Sequence, residues 1–118
     1  MKIVIDTNFW IYAVLYKIRI FEELLGYEIY TLDKVLQELK QISKKKTKQA
    51  IASKIALGMI EKFNVKIINA PKSADEKLVE LATQGFIIAT NDAELVKKIK
   101  NLGGKVAQIR QKKYIEFL

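Results

Sequence analysis

Short apolar runs alternate along the chain with longer segments in which apolar residues return every three or four positions. The runs are typical of strands buried in a parallel sheet, and the longer segments are typical of helices that pack on such a sheet. The predicted strands are KIVI, EIYTL, VKII, FIIAT and KVAQI, and YIEFL is expected to add a short edge strand. The alternation predicts an α/β protein with a parallel sheet covered by helices on both faces.

Residues with strong capping preferences mark where most of the intervening helices begin and end. Asn8, Asp33 and Ser73 stand where a side-chain cap is expected, and Gly26 and Gly85 stand where a helix is expected to stop. The first helical segment is apolar on all sides, which predicts a helix buried on more than one face. The predicted helices cover residues 9–16, 19–25, 34–42, 51–63, 74–84 and 92–102.

Composition limits the chemistry that the chain can perform. Its 118 residues, 50% of them hydrophobic, are enough for one globular domain, expected over residues 1–118. Cysteine and histidine are absent, so any metal site must be built from oxygen ligands. No targeting segment is recognised and the longest apolar run, residues 9–16, is too short to span a bilayer, so we expect a cytoplasmic protein without membrane contact.

Acidic residues follow closely after two of the predicted strands. Asp6 comes directly after KIVI, and FIIAT ends at Thr90 and is followed by Asn91 and Asp92. Ligands of open α/β sheets bind at the carboxyl ends of the strands, where the chain direction switches. A single acid there is most simply the cap of the next helix. The repeat of carboxylate, threonine and asparagine at two strand ends favours a functional site.

Two further acids, Glu38 and Asp75, lie on predicted helices. Taken singly, each is more typical of a solvated surface, and Asp75 also suits the positive end of a helix. If both converge with Asp6 and Asp92, repulsion between the carboxylates would be costly unless a cation sits among them. Oxygen ligands suit Mg²⁺ or Mn²⁺, which lower the pKa of bound water and neutralise charge on a phosphate. Such a cluster would hydrolyse a phosphodiester without histidine or cysteine.

Four segments together resemble the PIN-domain nuclease family over essentially the whole chain. They are VIDTNFWIYA, VLQEL, ADEKLVELA and IIATNDAEL, in the family's order and at the family's spacing. The resemblance implies a three-layer α/β/α sandwich on a central parallel sheet with Rossmann-like topology. It also implies cleavage of single-stranded or structured RNA that depends on Mg²⁺ or Mn²⁺.

The resemblance implies roles for individual residues as well. The catalytic, metal-binding acids are Asp6, Glu38, Asp75 and Asp92, and Glu94 matches a further metal-binding acid found in part of the family. The polar positions that orient the carboxylates or bound water are Asn8 and Thr90, with weaker support for Thr7 and Asn91. Two branches of the family stay open. The C-terminal segment is similar to a compact branch associated with ribosomal RNA processing, and the alternative is a VapC-type toxin with a small antitoxin protein as its partner.

Basic residues give the chain a net charge of +8 and gather in two places. Cations beside a negative site supply affinity for an RNA backbone, although such runs are usually solvated surface. The candidate RNA-binding residues are Lys44, Lys45, Lys46 and Lys48 in one group and Arg110, Lys112 and Lys113 in the other. They favour the ribosomal RNA branch. Trp10 and Tyr12 are expected in the core or at a subunit interface, and the apolar first helix suggests a homodimer.

Other functions explain the sequence less well. A phosphoacceptor receiver domain needs paired acids after the first strand and an acceptor aspartate after the third, and the chain has neither. A P-loop or dinucleotide enzyme needs a glycine-rich loop, which the five glycines do not form. The stronger alternative is a catalytically silent PIN-like module that binds RNA or a protein.

Overall fold

The computed structural model describes all 118 residues, Met1–Leu118. Six strands form one sheet in the order β3-β2-β1-β4-β5-β6. The strands are β1 (Lys2–Ile5), β2 (Glu28–Leu32), β3 (Lys66–Ile68), β4 (Ile87–Ala89), β5 (Lys105–Arg110) and β6 (Tyr114–Phe117). The helices are α1 (Thr7–Leu15), α2 (Ile20–Glu23), α3 (Asp33–Ser43), α4 (Lys48–Lys62), α5 (Ala74–Thr83) and α6 (Ala93–Asn101). The predicted α/β class with a central, mostly parallel sheet is confirmed.

The edge strand β6 differs from the others because it runs antiparallel to β5. Strands β1 to β5 pair in parallel, as their helical connections allow. Only three residues join β5 to β6, which is too short for a crossover and long enough for a hairpin turn. In that turn Lys113 donates its backbone N–H to the Arg110 carbonyl, and Gln111 and Lys112 both have positive φ, 53° and 57°.

The helices form two layers around the sheet. On one face α1 packs against α3 and α4, and on the other α5 packs against α6. Phe9 and Trp10 of α1 are fully buried, which confirms a core position for Trp10. Tyr12 is 36% exposed and stacks on Tyr16, so it lies outside the core, and its alternative place at a subunit interface stays a prediction. Phe9, Trp10, Ile11 and Ala13 of α1 are buried within the chain, whereas Tyr12 is exposed, and the homodimer stays a prediction.

Five of the six predicted helix starts differ from the observed starts by one to three residues, and the largest difference is at α4, which begins at Lys48 after its Thr47 cap and not at residue 51. Helix α1 is capped by Asp6 and not by Asn8, because the chain turns into the helix directly after Ile5 and the Asp6 carboxylate accepts the Thr7 N–H. Helix α3 begins at Asp33 itself, whose Oδ1 accepts the N–H groups of Lys34 and Ala70 at 2.7 and 2.9 Å. Asp33 therefore ties α3 to the segment after β3. The Ser73 cap of α5 is confirmed by its hydrogen bond from Glu76 N–H.

None of the helices combines the length and the apolar character that a membrane span requires.

Candidate active site

The centre of the sheet contains a switch in chain direction. Strands β1 and β4 are neighbours, and the chain leaves β1 towards β2 on one side and β4 towards β5 on the other. Asp6 and Thr90 follow these two strands, and their N–H groups extend the sheet by bonding the carbonyls of Ala89 and Ala107 at 2.9 and 3.0 Å. Both residues therefore lie at the carboxyl edge of the sheet, where open α/β folds bind ligands.

Asp6 is the buried acid of this edge, with 8% of its surface exposed. Its Oδ1 accepts the Thr7 N–H at 2.8 Å. Its Oδ2 accepts the hydroxyl of Thr90 at 2.9 Å and lies 3.5 Å from the amide nitrogen of Asn8. These bonds hold the carboxylate in one orientation at the start of α1.

Thr90 and Asn8 connect Asp6 to the turn after β4. The fully buried Thr90 Oγ1 accepts the backbone N–H of Asp92 at 3.2 Å, and Asn8 Oδ1 accepts that of Asn91 at 2.9 Å. Thr90 thus bonds the Asp6 carboxylate and the Asp92 backbone at once. These are the contacts that an orienting role needs, and the role itself stays a prediction.

The side chain of Asn91 bonds to strand β5, a contact that its position in the sequence does not predict. Its side-chain amide donates to the Ile109 carbonyl and accepts the Ile109 N–H, both at 2.9 Å. The side chain therefore pairs with β5 as another residue of β4 would. Asparagine after a strand is an ordinary turn residue, so nothing in the sequence indicates this contact.

The pKa of Asp6 is raised above its ordinary value, chiefly because burial disfavours the charged form. The hydrogen bonds from Thr7 and Thr90 oppose this effect and lower the pKa, while the carboxylates of Glu38 and Asp75 raise it further. The charges of three of the four predicted acids, Asp6, Glu38 and Asp75, therefore interact. The carboxylate of Asp92 is not among the groups that shift Asp6.

The remaining predicted acids are more exposed than Asp6. Glu38 lies in α3, Asp75 in the first turn of α5, and Asp92 and Glu94 at the start of α6, and all four are exposed. Asp92 caps α6, since its Oδ1 accepts the N–H groups of Glu94 and Leu95 at 3.0 and 3.3 Å. No group of three or more acids stands close enough together to enclose a metal ion with the side chains in these positions.

The donor chemistry nevertheless fits a divalent cation. The groups available are carboxylate oxygens, and Asp6 carries a charge that burial and its acidic neighbours both disfavour. Beside it, the hydroxyl of Thr7 is buried and makes no hydrogen bond within the protein. An unmet buried hydroxyl costs about 1–3 kcal/mol, so a bound ion or its water would relieve both groups.

A polar groove opens beside Glu38, between α3 and the first residue of α5. It has a volume of about 630 Å³ and is lined by Lys34, Gln37, Glu38, Gln41, Ile42 and Ala74. The sequence predicted only Glu38 from this set. The available signal was helical spacing, because residues 34, 37, 38 and 41 share one face of a helix.

The predicted RNA-binding cations lie in two different settings. Lys44, Lys45, Lys46 and Lys48 are exposed in and after the connection from α3 to α4. In the other group, Arg110 bonds Glu116 at 3.0 Å, Lys112 lies 5.5 Å from the centre of the Tyr16 ring, and Lys113 is exposed. Because Arg110 ends β5, this second group stands on the carboxyl edge of the sheet, as Asp6 does.

Comparison with known proteins gives consistent results over nearly the whole chain. A family model described as a PIN like domain matches residues 3–112. Ribonuclease VapC4 of Methanocaldococcus jannaschii is 36% identical, with 98% of this chain and 95% of the relative covered. Ribonuclease VapC9 of Archaeoglobus fulgidus is 30% identical, with 98% of this chain and 89% of the relative covered.

Proposed function

Because the chain belongs to the PIN-like domain family, we propose that it is an endoribonuclease that hydrolyses RNA phosphodiester bonds with the help of Mg²⁺ or Mn²⁺. The observation that carries the proposal is the buried Asp6 carboxylate, which stands at the switch point of the sheet and is charge-coupled to Glu38 and Asp75. The two relatives of the chain reported above are named ribonucleases, which supports this reaction class.

Asp6, Glu38, Asp75 and Asp92 are the residues that would hold the cation, with Glu94 as an additional ligand. A bound divalent ion lowers the pKa of water and offsets negative charge on the phosphate. The chain's own contribution is to fix Asp6, because Thr90 and Thr7 bond its two oxygens and leave it little freedom to turn. Asn8 supports the same arrangement through the turn after β4.

The toxin branch is the better supported biological role. Both relatives carry the VapC name, and neither name refers to ribosomal RNA processing. We therefore propose a VapC-type toxin with a small antitoxin protein as partner and a cytoplasmic location. Ribosomal RNA processing stays a prediction that rests on the similarity of the C-terminal segment and on the basic residues, and the homodimer stays a prediction as well.

A cleavage assay tests the reaction. The purified protein should cut a fluorescently labelled single-stranded RNA in Mn²⁺ or Mg²⁺ and stop when EDTA is added. Asp6→Asn should lower the rate at least about 100-fold, because the central acid is lost. Asp75→Asn should also lower it, whereas Glu76→Gln, an exposed acid one residue further along α5, should not. If the folded protein binds RNA but cleaves no substrate, the silent module is the correct function.

Metal binding has its own test that does not depend on activity. A ligand that binds only the folded state raises its stability, by about 2.7 kcal/mol at 100 times the dissociation constant. Mn²⁺ should therefore raise the melting temperature of the wild type and of Glu76→Gln, and leave that of Asp6→Asn nearly unchanged. Equal shifts in all three proteins would show that the ion binds elsewhere.

Growth measurements separate the two branches. Expression of the chain alone should arrest growth, and Asp6→Asn should remove the effect. Coexpression of the small protein encoded beside it should restore growth. A harmless wild type that associates with ribosomal precursors would favour processing.

A further inference from the structure

The polar groove between α3 and α5 includes Glu38, one of the proposed metal ligands, in its lining. We propose that it is a subsite for the RNA nucleotide next to the cleaved bond, with Gln37 and Gln41 hydrogen-bonded to the base and Lys34 to the phosphate. The inference rests on the proposed ribonuclease function and adds to it the residues that choose where the RNA is cut.

The groove is large enough to hold a small ligand. Its volume of about 630 Å³ falls within the range of roughly 300–1,000 Å³ typical of such sites. Lys34, Gln37, Glu38 and Gln41 form one polar row along α3, and Ile42 and Ala74 supply the short apolar part of the lining. A nucleotide needs this combination, because its base is flat and apolar on the face and polar at the edge.

The polar groups of the row are free to bind a ligand. The side-chain amides of Gln37 and Gln41 make no hydrogen bond within the protein, and Lys34 makes no ion pair although Glu38 lies one turn away. An amide offers both a donor and an acceptor, as the edge of a base does. Lys34 is half-buried in the first turn of α3, where an unpaired ammonium suits a phosphate.

Position explains why this groove concerns the cleaved strand. Glu38 lines the groove, and so does Ala74, which directly precedes Asp75 in α5, so the groove reaches two of the proposed metal ligands. A nucleotide bound there would lie next to these two acids. Of the candidate cations, Lys34 is the one that lines the groove, whereas Arg110 is paired with Glu116 and the lysines after α3 are exposed outside it.

RNA affinity is the first test, measured by fluorescence anisotropy on the Asp6→Asn chain with a labelled single-stranded RNA. Gln37→Ala with Gln41→Ala should weaken binding about tenfold, since two hydrogen bonds are lost. Lys34→Ala should also weaken it and reduce the slope of log Kd against log salt by about 0.7, while Lys34→Arg keeps the slope. Gln84→Ala and Lys54→Ala, which remove the same groups outside the groove, should bind as the parent does.

Cut-site mapping is the second test, made with the wild type and the same groove substitutions on a mixed-sequence RNA. The double glutamine variant should cut at a broader set of positions and with a higher KM, while the Gln84→Ala control keeps the wild-type pattern. If the wild type cleaves and the groove variants bind and cut as it does, the subsite is wrong and the ribonuclease proposal stands. If the wild type cleaves nothing but the groove variants lose affinity, the ribonuclease proposal fails and the groove remains an RNA site. If no form binds RNA, both fail.

Discussion

Asp6 serves two purposes that make opposite demands on one carboxyl group. As the cap of α1 it must accept a hydrogen bond from Thr7, which favours the charged form. As a residue of the sheet edge it is almost fully buried, which disfavours that form and raises its pKa. Burial prevails, so the charged form of Asp6 is less favourable in the folded chain than in the unfolded chain. A purely structural cap has no need of this cost, because Asn or Ser caps a helix equally well.

The raised pKa predicts how stability depends on pH in the metal-free protein. The folded state keeps the Asp6 proton to higher pH than the unfolded chain, so this group lowers stability as the pH rises from about 4 through the raised pKa. Asp6→Asn should therefore be more stable than the wild type at pH 7, and the difference should vanish near pH 3. Urea unfolding in EDTA at several pH values measures it, with the exposed Glu76→Gln as control. A less stable Asp6→Asn protein at pH 7 would contradict the prediction.

At the scale of elements, the sequence predicted all six strands and all six helices, because short apolar runs alternate with longer segments, most of which have a helical period or a capping residue. It failed where two capping residues compete, as Asp6 and Asn8 do at the start of α1. The sequence also did not predict contacts between residues that are far apart along the chain. The hydrogen bonds between the Asn91 side chain and Ile109, and the groove between α3 and Ala74, both depend on how elements pack. Neither corresponds to a local pattern in the sequence.

The hairpin between β5 and β6 predicts a stabilising substitution. Gln111 and Lys112 adopt left-handed backbone angles in this three-residue connection without being glycine or asparagine, the residues that usually take such angles in tight hairpin turns. Gln111→Asn should raise the free energy of unfolding by about 0.5–1 kcal/mol, because asparagine tolerates positive φ. Lys113→Asn is the matched control, since Lys113 does not have positive φ and should gain nothing. Thermal unfolding compares the two, and equal changes would show that the turn is not strained.

At the scale of the whole molecule, Asp6 and Asp92 follow strands β1 and β4 at the carboxyl edge of the sheet, and cations lie at both edges. Lys112 and Lys113 stand on the carboxyl edge, whereas Lys66 begins β3 at the opposite edge and Lys62 precedes it at the end of α4. The ionic atmosphere screens exposed charges beyond about 8 Å at physiological salt. The location of a cation should therefore affect RNA binding more than the net charge of +8 does.

Two charge-matched double variants test this prediction. Lys112→Ala with Lys113→Ala should weaken RNA binding about fivefold to tenfold and reduce the salt slope by about 1.4, the effect of two lost phosphate contacts. Lys62→Ala with Lys66→Ala removes the same charge and should change affinity less than about twofold. Titrations at several salt concentrations distinguish the two, and equal losses would mean that RNA responds to net charge alone.

The turn after β4 has a consequence for how a substrate meets this protein. Its backbone amides at Asn91 and Asp92, and that of Ile109 across from it, all donate to side chains of the same network. Amides in a surface turn normally exchange with solvent hydrogen quickly, and these three should exchange as slowly as those of the central strands. We therefore expect the backbone of the edge that carries Asp6 to be as rigid as the strands beneath it, so the proposed RNA substrate would meet Asp6, Thr90 and Asn91 in their present arrangement.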